Sequence, residues 1–154
     1  MLNVLYWGKI PFRALQIMLL TSMLVGCGRT PSPAQNSPEP AITGADRIEV
    51  IHFHGNRQCM SCIALGELAL KTIKTYFPQE YALGKIVFKT INLDAPENSA
   101  LVQAFQVRGS SLFFQVTKGA RVTRSEDTKV WRLVGDEAAY MTYVAGVLKN
   151  YLGA

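Results

Sequence analysis

The chain's only two histidines, His52 and His54, stand just ahead of two cysteines spaced Cys-x-x-Cys, Cys59 and Cys62, in the stretch HFHGNRQCMSC. Three chemistries use such residues. Thiols two residues apart form a disulfide that can be made and broken by exchange. Two thiolates with two imidazoles suit zinc or copper, so Cys59, Cys62, His54 and His52 form the metal-ligand alternative. The pair could also be a fixed staple, but closing so short a loop removes little chain entropy, and stability is a poor reason for it. Two positions apart on a strand, the histidines point to one face. His54, followed by Gly55, is expected where the strand ends near the cysteines. A protonated imidazole there, with Arg57, would lower the thiol pKa. His52 is expected to be a hydrogen-bonded residue of a central strand. Thiol tuning or structure outweighs metal ligation for both.

The elements that must position these residues are readable from periodicity. Arg47 to His54, RIEVIHFH, alternates and is rich in β-branched residues, which predicts a strand. From Cys62 to Tyr76, apolar residues at Leu65, Leu68, Ala69, Ile73 and Tyr76 follow helical spacing until Pro78. GKIVFKTINLD, Gly84 to Asp94, reads as a strand with the near-continuous apolar start of a parallel neighbour. ENSALVQAFQV suggests a short helix, SLFFQV a third strand, and TKGARVTR a hairpin into a fourth with Gly119 in the turn. DEAAYMTYVAGVLKNYL predicts a long final helix with two acids in its first turn, where the dipole favours them. The order is βαβαββα, an α/β domain over 47–154.

Upstream of that domain the composition changes twice. MLNVLYWGKIPFR carries Lys9 and Arg13 with no acid, and the uncharged run from Ala14 to Gly26 has thirteen residues. A membrane-spanning helix needs roughly 20, a secretory h-region roughly 7–15. Residues 1–26 are therefore expected to be a signal peptide. It closes in LVGC, which resembles the lipobox of bacterial lipoproteins. The resemblance implies cleavage before Cys27 and lipidation of its thiol, and two or three acyl chains give stable anchoring where one does not. Residues 27–46 then read as a lipidated cysteine and a Pro/Ser-rich tether, with four of the chain's seven prolines. The expected location is exported, held to a bacterial membrane and facing the periplasm.

Charge excludes little but guides the choice. The 154 residues carry a formal +5. Without Lys9 and Arg13, fourteen basic residues face eleven acidic ones, a balance that does not imply nucleic acid. A serine triad is not expected, since both histidines lie by the cysteines and no catalytic serine signature accompanies them. Trp131 and the tyrosines at 140, 143 and 151 are expected to pack the last helix onto the sheet.

The element order, with Cys-x-x-Cys between the first strand and first helix, resembles the thioredoxin superfamily across the whole domain. The FHG…Cys-x-x-Cys signature, the Asn-x-Asp after the second strand and the tryptophan before the last helix are similar to a group of bacterial thioredoxin-like proteins described as nitroreductase subunits associated with arsenic operons. No flavin or nucleotide fingerprint accompanies them, and no nitroreductase activity is carried over. The fold implied is a central mixed sheet flanked by helices. Cys59, at the first turn of a helix, would be the exposed nucleophile, its thiolate favoured by the dipole. Cys62 would be the buried resolving thiol. The implied cofactor is none beyond the redox disulfide Cys59–Cys62. The implied partners are protein thiols or a membrane electron donor, with the membrane met through the lipid anchor. Where the family places a cis-proline opposite the cysteines, this chain has Ser111, and no proline follows Pro96. A cis bond there would cost about 3 kcal/mol, so a trans Ser110–Ser111 bond and an altered groove are expected. With that proline gone, a redox-inactive interaction module is the remaining alternative to exchange and to metal binding.

Overall fold

The structure, a computed structural model, describes residues 42–154. The signal peptide at 1–26, Cys27 and most of the tether at 27–46 lie outside the described residues. Among the described residues no helix is long and apolar enough to cross a membrane.

Four strands form one sheet in the order β2-β1-β3-β4. Strand β1 (Arg47–His54) is central and pairs in parallel with β2 (Ile86–Asn92) and antiparallel with β3 (Ser111–Lys118). Strand β4 (Arg121–Glu126) closes the far edge antiparallel to β3. Gly119 turns that hairpin at φ 56°, a left-handed conformation that costs glycine nothing. The alternation in RIEVIHFH thus serves two apolar faces: six successive residues of β1, from Ile48 to Phe53, are buried.

The larger core lies under helices α1 (Met60–Tyr76) and α4 (Glu137–Leu152), which pack on one sheet face. Ile48 and Val50 of β1 and Leu112, Phe114 and Val116 of β3 meet Leu65, Ala69 and Ile73 of α1 and Val144 and Leu148 of α4. Each of these side chains larger than alanine, fully buried, contributes about 1.5–3 kcal/mol. Tyr140 belongs to this core and sends its hydroxyl to the Leu65 carbonyl at 2.7 Å, tying α4 to α1. Burial, and then Asp127, raise the Tyr140 phenol pKa. Tyr151 lies against Phe114 and Trp131 packs at the margin, as the sequence leads one to expect. Asp136 caps the start of helix α4, its carboxylate accepting the Ala139 N–H at 3.0 Å.

Among the described residues the opposite face is covered only in part. Helix α3 (Ser99–Phe105) brings Phe105 against Phe53 and Phe113, three rings with centroids 5.3–5.5 Å apart. Beyond this short helix the sheet is finished with charge: Glu49 accepts from Lys89 at 2.9 Å, Gln115 at 3.0 Å and Arg47.

Two details depart from the expected elements. Pro78 ends α1 and at the same time opens a further helix, α2 (Pro78–Ala82), because a proline lacks only an N–H that the first helical position leaves unused. The packed domain also begins before Arg47, inside the stretch assigned to the tether. Ile42 and Ala45 are buried, Ala45 donates to the Tyr151 carbonyl at 2.8 Å, and the Asp46 carboxylate accepts from Gly119 N–H at 2.6 Å. Ile42 is the large apolar residue of that stretch, and it joins the larger core.

Candidate functional site

Strand β1 delivers the chain to the carboxyl end of its parallel pairing with β2, where an irregular loop, 55–58, leads into α1. An asparagine–aspartate clamp fixes that loop. The Asn56 N–H donates to Asp94 Oδ2 at 2.7 Å, Asn92 Nδ2 donates to Asn56 Oδ1 at 2.8 Å, and Asn92 Oδ1 accepts the Asp94 N–H at 3.0 Å. The Asn-x-Asp motif is visible in the sequence. Its role as anchor of the loop ahead of the cysteines is not, because the Asn56 partner lies 36 residues away.

Cys59 is the N-cap of α1, with extended backbone at φ −79° and ψ 165°. Its Sγ accepts the Cys62 N–H at 3.1 Å and is disulfide-bonded to Cys62, with Cα atoms 5.0 Å apart. A sulfur at an N-cap faces the unpaired N–H groups and the positive end of the helix dipole, the surroundings that stabilise a thiolate when the bond is opened. No acidic residue in the first turn opposes this. Cys59 is exposed, Cys62 half-buried, and Met60 between them is 81% exposed.

Of the two histidines, His52 is the one packed against α1. It is 4% exposed, and its ring lies so close to Gly66 of α1 that a Cβ there would sit 2.2 Å from Nδ1. The ring bonds the Cys62 backbone, an interaction that favours its protonated form, and Nε2 has no partner among the described residues. Nδ1–H therefore donates to the Cys62 carbonyl, and Nε2 keeps its lone pair. Burial above all, then the neighbouring His54, lower the His52 pKa to about 4, so the ring is neutral at pH 7. His54 is half-buried, its ring 5.6 Å from that of His52. Its Nδ1–H donates to the Gly55 carbonyl at 3.0 Å, which holds it in its own loop. The physical reason for the placement of His52 is Gly66: a helix residue without a side chain leaves room for one imidazole, and the strand register gives that room to His52. The sequence signal was available, a glycine inside an otherwise good helix.

Arg57 is exposed in the loop. Ser111 opens β3 opposite Phe53, buried, with its hydroxyl donating to the Gly109 carbonyl at 3.2 Å. Among the described residues no three His, Cys, Asp or Glu side chains gather to hold a metal ion, and Cys59 and Cys62 are joined in a disulfide.

A mixed sheet in the order β2-β1-β3-β4, two helices on one face and one on the other, and a Cys-x-x-Cys disulfide at the start of the first helix together decide the architecture. The fold is thioredoxin-like. No protein-family model matches the chain, and no curated protein does. Among solved structures it is similar to a thioredoxin from Thermus thermophilus, at 18% identity over 68% of this chain and 76% of that one, with a TM-score of 0.46. It is also similar to a thioredoxin of Malassezia sympodialis, at 22% identity over 65% of this chain and 80% of that one, with a TM-score of 0.37. The thioredoxin-like assignment rests on the sheet order and the placement of the cysteines. Within this fold the disulfide needs no further cofactor to take part in thiol exchange.

Proposed function

We propose that the chain is a thiol–disulfide oxidoreductase acting on protein thiols, exported and held at a bacterial membrane by lipid on Cys27. The observation that carries the redox reading is the N-cap position of Cys59: an exposed sulfur, bonded to Cys62, at the positive end of a 17-residue helix. In the oxidising direction a partner thiolate attacks Cys59 Sγ, the Cys59–Cys62 bond breaks, and Cys62 leaves as a thiolate that takes up a proton. A second partner thiolate then attacks the mixed disulfide. The partner leaves with a disulfide, having given two electrons and two protons to the pair, with Cys59 the second leaving thiolate. The helix terminus assists by stabilising Cys59 as that leaving group. The reducing direction runs the same steps backwards, and the potential of the partner decides between them. The membrane setting is supported by the charged start, the apolar run and LVGC. The likeness to the arsenic-operon group adds a bacterial context and no nitro-group chemistry.

The test is a thiol-alkylation redox titration against dithiol buffers. A reversible two-electron couple between about −120 and about −270 mV, lost in Cys59→Ser, is the expected result. A potential well below about −300 mV, or no exchange, would make the disulfide structural and overturn the proposal.

A further inference from the structure

The two edges of the sheet are finished differently. Strand β4 ends it with charge, carrying Arg121, Arg124 and Glu126, a common guard against pairing with another chain. Strand β2, IVFKTIN, has no proline and a single charge, and that charge is turned away: Lys89 bonds Glu49 on the sheet face opposite α1. The side of β2 away from β1 also presents backbone groups in phase. The Ile48 N–H donates to the Lys85 carbonyl and the Leu93 N–H to the His54 carbonyl, so the odd-numbered residues of β2 bond β1. Ile86, Phe88 and Thr90 therefore turn N–H and C=O outwards, where no strand meets them among the described residues. On the α1 face, Phe88 and Thr90 line a cavity with Ile63, Glu67 and Leu70 of α1.

The helix beside this edge is self-complementary about one point of it. Ile63, Glu67, Leu70 and Lys74 form one stripe of α1, and Lys74 continues with Glu67 and Leu70 into the adjoining groove. Neither Glu67 nor Lys74 has an ion-pair partner among the described residues, since the nearer cation, Lys71, is held by Glu137. Helix α1 links two parallel strands and so runs back towards the start of β2. Gly66 stands against His52, which lies opposite Thr90. Glu67 is therefore about one and a half strand residues beyond Phe88. Lys74, about 10.5 Å back along the helix, is about as far before it. Two β2 strands paired antiparallel, Phe88 opposite Phe88, thus bring Glu67 of each copy across from Lys74 of the other. A pairing centred on Lys89 would instead set two ammonium groups face to face.

We infer that the chain forms a two-fold dimer with a second copy of itself through the open edge of β2, joining two sheets into one. Ile86 then faces Thr90 of the second copy, Val87 faces Lys89, and the two Phe88 rings lie side by side where the cavities open. The contact is isologous and closes on itself, so it uses up the free edge and leads to no longer assembly. The inference stands apart from the redox reading and survives its failure.

The test is sedimentation equilibrium of the full chain in density-matched detergent, where a monomer–dimer equilibrium is expected. Thr90→Pro removes an outward N–H and no bond to β1, so it should abolish the dimer and leave the far-UV circular dichroism unchanged. Charge reversal reads the register and decides the matter should that variant unfold. Glu67→Lys or Lys74→Glu alone sets like charges across the two-fold axis and should weaken association about tenfold. The double variant should return it to within about twofold, because two turns of helix keep the residues apart within one chain. A chain that is monomeric up to about 1 mM, or that associates beyond the dimer, would overturn the inference. So would a dimer that persists in folded Thr90→Pro, or one that the double reversal does not restore.

Discussion

Glu49 and His52 are both buried polar residues of β1, three positions apart and on opposite faces of the sheet, and they are satisfied in opposite ways. Glu49, 8% exposed, is met by Lys89, Gln115 and Arg47. Each of these is placed by strand geometry: Gln115 lies directly across in β3, Lys89 on the neighbouring β2, and Arg47 two residues back on the same strand. Burial alone would raise the Glu49 carboxyl pKa, but Lys89 and Arg47 more than reverse this and hold it below its ordinary value. His52 is met by a helix instead. It gains one bond, to the Cys62 carbonyl, leaves Nε2 alone, and answers by giving up its proton. A sheet supplies partners by register, whereas a helix docked on a sheet supplies a surface. A polar group caught against that surface is left part-satisfied and responds to pH.

Gly66→Ala breaks the His52 arrangement most severely. The new methyl meets the imidazole and removes its bond to Cys62, and denaturant unfolding should show a loss of about 3 kcal/mol. Combined with His52→Ala, the same change should cost far less than the sum of the two, since the clash then has no partner. Additive costs would mean that the two residues do not meet.

Acid separates the two residues next. His52 binds its proton near pH 4 when folded and near 6.5 when unfolded, so between those values the unfolded chain holds more protons. Stability is therefore full above pH 6.5 and falls as pH drops towards 4, by about 3 kcal/mol in all. Thermal unfolding of His52→Phe should lack this component. Glu49 contributes in a lower range: its stabilisation is present above the unfolded carboxylate value and is lost as pH falls through its depressed folded pKa.

Glu49→Gln should cost only about 1 kcal/mol in denaturant unfolding, because Lys89 and Arg47 are 40% and 49% exposed and water takes over their solvation. A loss as large as that of Gly66→Ala would show that the charge network carries the uncovered sheet face in place of a helix. The smallest effect is expected of Lys71→Ala. Its exposed pair with Glu137 is worth under about 0.5 kcal/mol in denaturant unfolding.

Much of the fold was legible before any coordinates. The limits of β1 coincide with the expected strand, and the first and last helices lie within two residues of their expected starts, since period and capping are local properties. Helix α2 was hidden because the same proline that stops one helix is a favoured first residue of the next. The five residues before Arg47 read as tether because their only large apolar side chain, Ile42, joins a core drawn from the whole domain, which no local pattern announces. At the site, the spacing of Cys59 and Cys62 offered a disulfide as one of three readings, and the structure joins the two sulfurs. The choice of His52 over His54 as the residue that meets α1 did not follow from spacing, since both point to one face.

The sequence by itself determined the element order, the thiol pair and its place at a helix start, because each depends on residues within a turn or a strand of one another. Only the tertiary structure decided that Asn92 and Asp94 hold the loop ahead of Cys59, that Gly66 receives the His52 ring, and that Lys71 turns to Glu137 and leaves Glu67 unpaired. These outcomes depend on where α1 and α4 settle on the sheet, and that placement is fixed by the packing of a core drawn from the whole domain.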